Sequence, residues 1–331
     1  MLPTAERPQA AEPAPDAVRE TDVDELRDAA RHQARRRKER RVAWTLVLPT
    51  LVILVLALGY PVGWQLVTSF RKYGLKQQFG KPPEWVGLEN YKNLVTDPSL
   101  WAVVVRSIVF CVIVAFATVV IGGLMALLMQ RVPRGPRVVL QVSLLLAWAM
   151  PVVAAMTIWI WIVDWRRGLL NWLLVNVGFE DAEGHNWLAQ PLSFFIVAGV
   201  IVIWMSVPFV ALSIYAGLTQ VSGEVLEAAQ LDGASGWQRL RYVILPLIAP
   251  VLSIVLLLQL IWDLRVFTQI KMLQDAGGVA NETNLLGTFI YQLGTGKGDF
   301  GMSSAVSVVM LLLTVALSWY YVRSLMKEEA S

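Results

Sequence analysis

Residues Ser107–Gln130 read SIVFCVIVAFATVVIGGLMALLMQ, 24 residues without an acidic or basic side chain. A helix rises about 1.5 Å per residue, so roughly 20 apolar residues cross the ~30 Å of bilayer hydrocarbon. No water reaches backbone polar groups there, and a helix satisfies them within its own segment. The same reading applies to Val42–Phe70, Val138–Val163, Pro191–Val221, Tyr242–Trp262 and Phe300–Val322. A soluble fold with six such runs would have no polar face to give water. Composition agrees, with 56% hydrophobic and 16% charged residues against about 45–50% and about a quarter in soluble domains. The expected fold class is all-α, a polytopic membrane protein with six transmembrane helices.

Residues 1–41 differ. Met1–Asp28 is rich in Ala, Pro, Asp and Glu, and is expected to be a disordered tail, with a short helix near Val23–Arg37. Arg35–Arg41 then places six basic residues within seven, directly before the first apolar run. That run is too long for a signal-peptide core and no A-x-A-like site follows it, so it reads as a retained helix. With the amino terminus inside, segments flanking the spans carry thirteen basic residues on the cytoplasmic side and nine outside. The Arg35–Arg41 cluster decides the orientation, both termini being cytoplasmic. The expected division is a tail over 1–41, a membrane domain over 42–325 and a short cytoplasmic end over 326–331. Trp85, Trp101, Trp165, Trp172 and Trp187 fall near the outer interface, where amphipathic rings anchor, and Arg106 is expected to snorkel towards it.

Other functions are excluded one by one. Basic residues gather at membrane boundaries rather than along one face, so the net charge of +3 implies no nucleic-acid partner. Cys111 is the sole cysteine, and His32 and His185 lie outside the spans; no metal site and no proton relay within the spans is expected. Asn281-Glu282-Thr283 matches a glycosylation sequon, a pattern that arises freely by chance. The glycine-rich stretch Gly294–Gly298 lacks the G-x-x-x-x-G-K-[ST] spacing of a phosphate-binding loop. Energy for transport would therefore come from another subunit. The rival reading, an ion-coupled secondary transporter, requires an internal repeat and buried ionisable relays, and neither is visible.

One cytoplasmic loop is unlike the rest. Ser222–Arg241 is polar yet has partial helical spacing at Val225, Leu226, Ala229 and Leu231, a start signal at Ser222, and interruptions at Gly233 and Gly236. Asp232 is expected to cap the next helix. Leu245-Pro246 and Pro250 suit a helix that restarts in the membrane with proline in its first turns. A helix–turn–helix on that face is a docking element for a partner. Within the spans, Pro208 removes a helix hydrogen bond, and a break there would line a cavity. Gln259, Trp262, Asp263 and Arg265 stand in an otherwise apolar run, where ionisable groups are costly and mark function. Gln259, Trp262 and Asp263 share one helical face, and aromatic, amide and carboxylate groups are what bind a sugar.

The loop reads Glu227-Ala228-Ala229-Gln230-Leu231-Asp232-Gly233-Ala234, then Leu245-Pro246 and Pro250. It resembles the EAA motif of bacterial ATP-binding-cassette (ABC) importer permeases. Val86–Tyr91 (VGLENY), Gly168–Trp172 (GLLNW) and Asp299-Phe300-Gly301 resemble further segments of the sugar permeases, of the maltose/glycerol-phosphate type. This resemblance covers about Val42 to Arg323. It implies a type I importer permease fold and a heterodimer with a second permease. It also implies two ATPase subunits that use ATP and Mg, and an extracytoplasmic sugar-binding protein, with no cofactor in this chain. Glu227, Ala228, Ala229, Asp232, Gly233 and Ala234 would couple to the ATPase: a carboxylate for a basic group, small residues for close approach, a glycine for the turn. Met205, Ser206, Phe209, Gln259, Trp262, Asp263 and Val266 match the sugar-contacting positions of maltose-type permeases, which carry amides where Asp263 and Val266 stand here. The implied substrate is a di- or oligosaccharide, chitobiose-like by the run Trp262–Gln269.

Overall fold

The computed structural model describes residues 43–328. The tail over 1–41, with its basic cluster and the helix expected near Val23–Arg37, lies outside the described residues. Five helices are long and apolar enough to cross a bilayer, and a sixth crossing is a bent pair. The first is α1 (Ala43–Ser69), with one π-helical turn at Val55–Gly59. The chain divides into two units, Met1–Trp64 and Gln65–Ser331, and the other five crossings all belong to the second.

A short external helix α2 (Glu89–Thr96) leads into α3 (Pro98–Arg131), the second crossing. Asp97 caps α3 by accepting from the Ser99 amide at 2.8 Å, and Pro98 fills the first turn, where no amide is needed. The third crossing is α4 (Arg134–Trp148) and α5 (Val152–Ile162), bent by 96°. The sequence leads one to expect one span over Val138–Val163, and the structure divides it into a bent pair. Pro151 donates no hydrogen bond and forces Met150 out of helical geometry, so the second half restarts in a new direction. After the external helix α6 (Leu169–Asn176), α7 (Pro191–Leu218) forms the fourth crossing. It runs unbroken through Pro208, against expectation. Val207, Pro208, Val210 and Ala211 are all buried, and packing on every side holds the helical path at the cost of one hydrogen bond.

The fifth crossing, Ala249–Asp275, is also interrupted. Two cytoplasmic helices precede it, α8 (Gly223–Leu231) and α9 (Gly236–Arg239). Within the crossing, α10 (Ala249–Leu264) ends at Arg265, and α11 (Thr268–Asp275) starts after Phe267. After α12 (Leu286–Tyr291), α13 (Phe300–Glu328) is the sixth crossing.

The second and fourth crossings pack through Phe110 and Val114 against Phe194, Ala198 and Ile201, and through Ala126 and Met129 against Val210, Ala211 and Ile214. Between lipid-embedded helices close packing, rather than water exclusion, supplies the attraction, and small residues permit it. A Cβ on Gly122 would lie 2.5 Å from Val210 Cγ1 and 3.1 Å from the Ala211 nitrogen. Gly122→Leu therefore has to push these helices apart, at about 1–3 kcal/mol or more. A lower melting temperature of the solubilised protein is the expected result, and an unchanged one would show that the contact is not tight.

Outside the membrane, the segment after α1 is strapped to the start of α13. A two-residue ribbon pairs β1 (Arg71–Lys72) with β2 (Glu84–Trp85). Buried Asn90 donates to the carbonyls of Ser69 (2.8 Å) and Arg71 (3.0 Å), and the Tyr91 and Ser69 hydroxyls meet at 2.7 Å. The Gly301 amide donates to the Tyr73 carbonyl at 2.9 Å. A Cβ on Gly301 would stand 2.3 Å from the Arg71 carbonyl oxygen, which explains a glycine in this helical turn. Asn171 of the GLLN stretch likewise ties its loop together, donating to His185 O and accepting from Trp187 Nε1. Arg106, expected to snorkel to the interface, donates to the backbone carbonyls of Glu282 and Asn281.

Candidate functional site

Two breaks in membrane helices face one another across a cavity of about 350 Å³. One wall is the bend of the third crossing, with Trp148, Met150 and Val152; the opposite wall is the break of the fifth, with Trp262, Asp263 and the stretch Arg265–Gln269. The fourth crossing closes the space with Val202, Met205 and Ser206. Irregular backbone at membrane depth is tolerated where it lines a cavity of this kind.

Five of the seven positions singled out from the sequence line this cavity: Met205, Ser206, Trp262, Asp263 and Val266. Val266 does so from a buried position, 6% exposed, packed into the core beside Ile270. Phe209 lies beside the cavity, its ring 6.0 Å from that of Trp148 and 5.2 Å from that of Trp262. These three rings form an aromatic layer. Gln259 is one turn towards the cytoplasm from Asp263 and fully buried. Gln269 reaches across from the fifth crossing, its amide nitrogen 3.8 Å from Met205 Sδ.

The polarity of this site is concentrated at its deep end. Asp263 is 2% exposed, and its Oδ2 has no hydrogen-bond partner; nor has either polar atom of Gln259. Gln259 faces the Asp263 carboxyl from the turn below without closing a hydrogen bond of normal geometry. An ion pair between Asp263 and Arg265 is also absent among the described residues, and Arg265 is exposed. Each unpaired buried polar atom costs about 1–3 kcal/mol. A fold that leaves three of them together at membrane depth has a reason other than stability, and a hydrogen-bonding ligand is the simplest one.

Trp148 and Met150 are the residues that sequence reasoning missed. Both sit inside an uncharged run, and Pro151 beside Met150 is the local signal that marks them.

On the cytoplasmic side, α8 ends in a Schellman turn. The Ala234 amide donates to the Ala229 carbonyl (3.0 Å) and the Gly233 amide to that of Gln230 (3.1 Å). Gly233 takes φ = +82°, a conformation costly for any residue with a Cβ. Asp232 occupies the C-cap of α8 and does not cap α9 as expected; Ser235 does, in a reciprocal box with Gln238 (3.3 and 2.7 Å). Arg239 donates to Gln230 Oε1 at 3.0 Å and braces α9 against α8. Glu227, Ala228, Asp232 and Gly233 are exposed, with Ala229 and Ala234 half-buried. Leu231 is 89% exposed and Trp237 65%. Large apolar side chains bare to water on a polar hairpin mark a contact surface.

A family model described as "binding-protein-dependent transport system inner membrane component" matches residues 118–324. The chain is 38% identical over 286 residues to the diacetylchitobiose uptake system permease protein of Streptomyces coelicolor, covering 86% of this chain and 87% of that one. It is 29% identical to the trehalose/maltose transport system permease protein of Thermococcus litoralis, over 86% and 94%. In fold it resembles a chain of a bacterial alginate ABC transporter solved with a periplasmic protein bound to alginate pentasaccharide. The TM-score is 0.73 at 20% identity, over 86% of this chain and 93% of that one.

Proposed function

Since this chain belongs to the family of binding-protein-dependent transport system inner membrane components, we propose that it forms half of the pathway of an ATP-driven importer for a di- or oligosaccharide. It is a multi-pass component of the cell membrane, and as a permease subunit it is not itself an enzyme. The other half is a second, different permease. Two ATPase subunits work from the cytoplasm with ATP and Mg, and a sugar-binding protein delivers substrate from outside.

The observation that carries this reading is the continuity of the fifth crossing. It follows the α8–α9 hairpin after a π-helical turn (Leu240–Ile244) and a short helix (Leu245–Leu247), and it holds Trp262 and Asp263 at the cavity wall. The exposed face bearing Glu227, Ala228, Ala229, Asp232, Gly233 and Ala234 would seat on the ATPase, and a push there reaches the sugar site along one helix. In the cavity, Trp262, Phe209 and Trp148 offer stacking faces. Asp263, Gln259 and Ser206 offer hydrogen bonds to hydroxyls, and Met205 and Val266 fill the walls. The likeness to diacetylchitobiose and trehalose/maltose permeases supports a di- or oligosaccharide as substrate.

The test is uptake of labelled disaccharides by cells with and without the gene, alongside ATP hydrolysis by the reconstituted complex. Loss of disaccharide uptake on deletion and stimulation of hydrolysis by substrate-loaded binding protein are expected. Uptake of peptides or metal ions with no sugar dependence would refute the substrate class. Trp262→Ala should reduce sugar uptake up to about tenfold, from loss of an aromatic face worth about 0.5–1.5 kcal/mol, with the level of protein in the membrane unchanged.

A further inference from the structure

The buried wall of the cavity holds the Asp263 carboxyl, and Gln259 lies one turn below it, behind the lining. Asp263 Oδ2 is unpartnered, and so are both polar atoms of Gln259. One other charged side chain lines the cavity, Arg265. It stands exposed and forms no ion pair with Asp263. Asp263 is thus the one acidic side chain among the lining residues, and it sits on the buried wall while Arg265 stands at the exposed side. The remaining lining is aromatic, aliphatic, thioether or neutral polar.

Resting on the proposal that this cavity takes a sugar, we infer that Asp263 determines the charge class of that sugar. Neutral and cationic units enter, because hydroxyl, acetamido N–H or ammonium groups donate to the carboxylate. A unit carrying a carboxylate, sulfate or phosphate is turned away. It would bring a second negative charge within a few ångströms of the first in a poorly screened space, and it has fewer donors to offer. Gln259 contributes one amide donor and one acceptor a turn deeper, so a hydroxyl bridging it to Asp263 would be satisfied on both sides.

The discriminating set is three β-1,4-linked disaccharides of similar size: N,N′-diacetylchitobiose (neutral), chitobiose with free amines (cationic) and cellobiouronic acid (anionic). Their binding to the assembled importer complex is measured by ligand-observed nuclear magnetic resonance titration. The sugar-binding protein is omitted, so that its own preference does not enter. The wild-type complex should bind the uronic acid at least about tenfold more weakly than either other sugar. Asp263→Asn keeps the shape and removes the charge, and should bring the neutral and anionic sugars to within about twofold. Asp263→Glu, the second variant, keeps the charge and should keep the gap. Co-purification of the ATPase subunits monitors assembly of each variant. An equal gap in wild type and Asp263→Asn overturns the inference, as does wild-type binding of the uronic acid as tight as that of diacetylchitobiose. Both outcomes leave the sugar cavity standing if diacetylchitobiose binds. Absence of binding by all three sugars, in wild type and in Trp262→Ala alike, would overturn the cavity assignment and this inference with it.

Discussion

Gly233→Val is expected to leave the permease inserted in the membrane and to reduce sugar uptake at least about tenfold. The Schellman turn at the end of α8 places residue 233 at φ = +82°. A residue with a Cβ pays about 1–2 kcal/mol there, and β-branching adds to it. The cheapest relief is to unwind the turn, which loses the Ala234–Ala229 and Gly233–Gln230 hydrogen bonds and frees α9 from its brace on Gln230. The hairpin is otherwise open at this point, with nothing within 4 Å of an added Cβ. The effect is thus conformational and not steric. Gly233→Asn separates the two, because asparagine tolerates the left-handed region, and it should retain most transport. Uptake and ATPase stimulation, read beside membrane content, check both variants. Full transport by Gly233→Val would show that this turn does not hold the coupling surface.

Gln259→Leu is expected to move stability and transport in opposite directions. Both polar atoms of Gln259 are buried without partners, and removing an unanswered amide recovers about 1–3 kcal/mol. Leucine fills similar volume among apolar neighbours. The melting temperature of the solubilised protein should rise by about 2 °C or more. Uptake should fall about tenfold, since the deep end of the cavity loses a donor and an acceptor. A less stable variant would mean that the amide is satisfied in the resting protein. An equally active one would mean that sugar does not reach it. Sites kept for a ligand at the expense of stability are where such trade-offs concentrate.

The membrane crossings were legible because a bilayer imposes a length and a polarity that few other constraints mimic. Gly233 was legible too, since few residues other than glycine end a helix that way. The bend of the third crossing is not visible in length, because its 26 uncharged residues suffice for one span with Pro151 inside it. Pro208 misled in the opposite direction. A proline locks one torsion and removes one donor, but whether a helix breaks there depends on packing that only the fold supplies. The break at Arg265–Phe267 has no glycine or proline to announce it. The α9 cap is legible as the spacing Ser235…Gln238, a serine followed three residues on by a glutamine, whereas Asp232 lies too early to reach α9 and ends α8. Of the site, the charged and amide positions stood out against an apolar background. Trp148 did not, because an aromatic residue in a span is ordinary until a bend turns it inward.

The external strap limits what can move. Ser69 and Arg71, at the outer end of the first crossing, are tied through Asn90 to α2, and Tyr73 is tied to the first turn of α13. The segment from Ser69 to Tyr73 and the start of α13 are thus held as one post, while the two crossings with broken helices carry their bends at the height of the cavity.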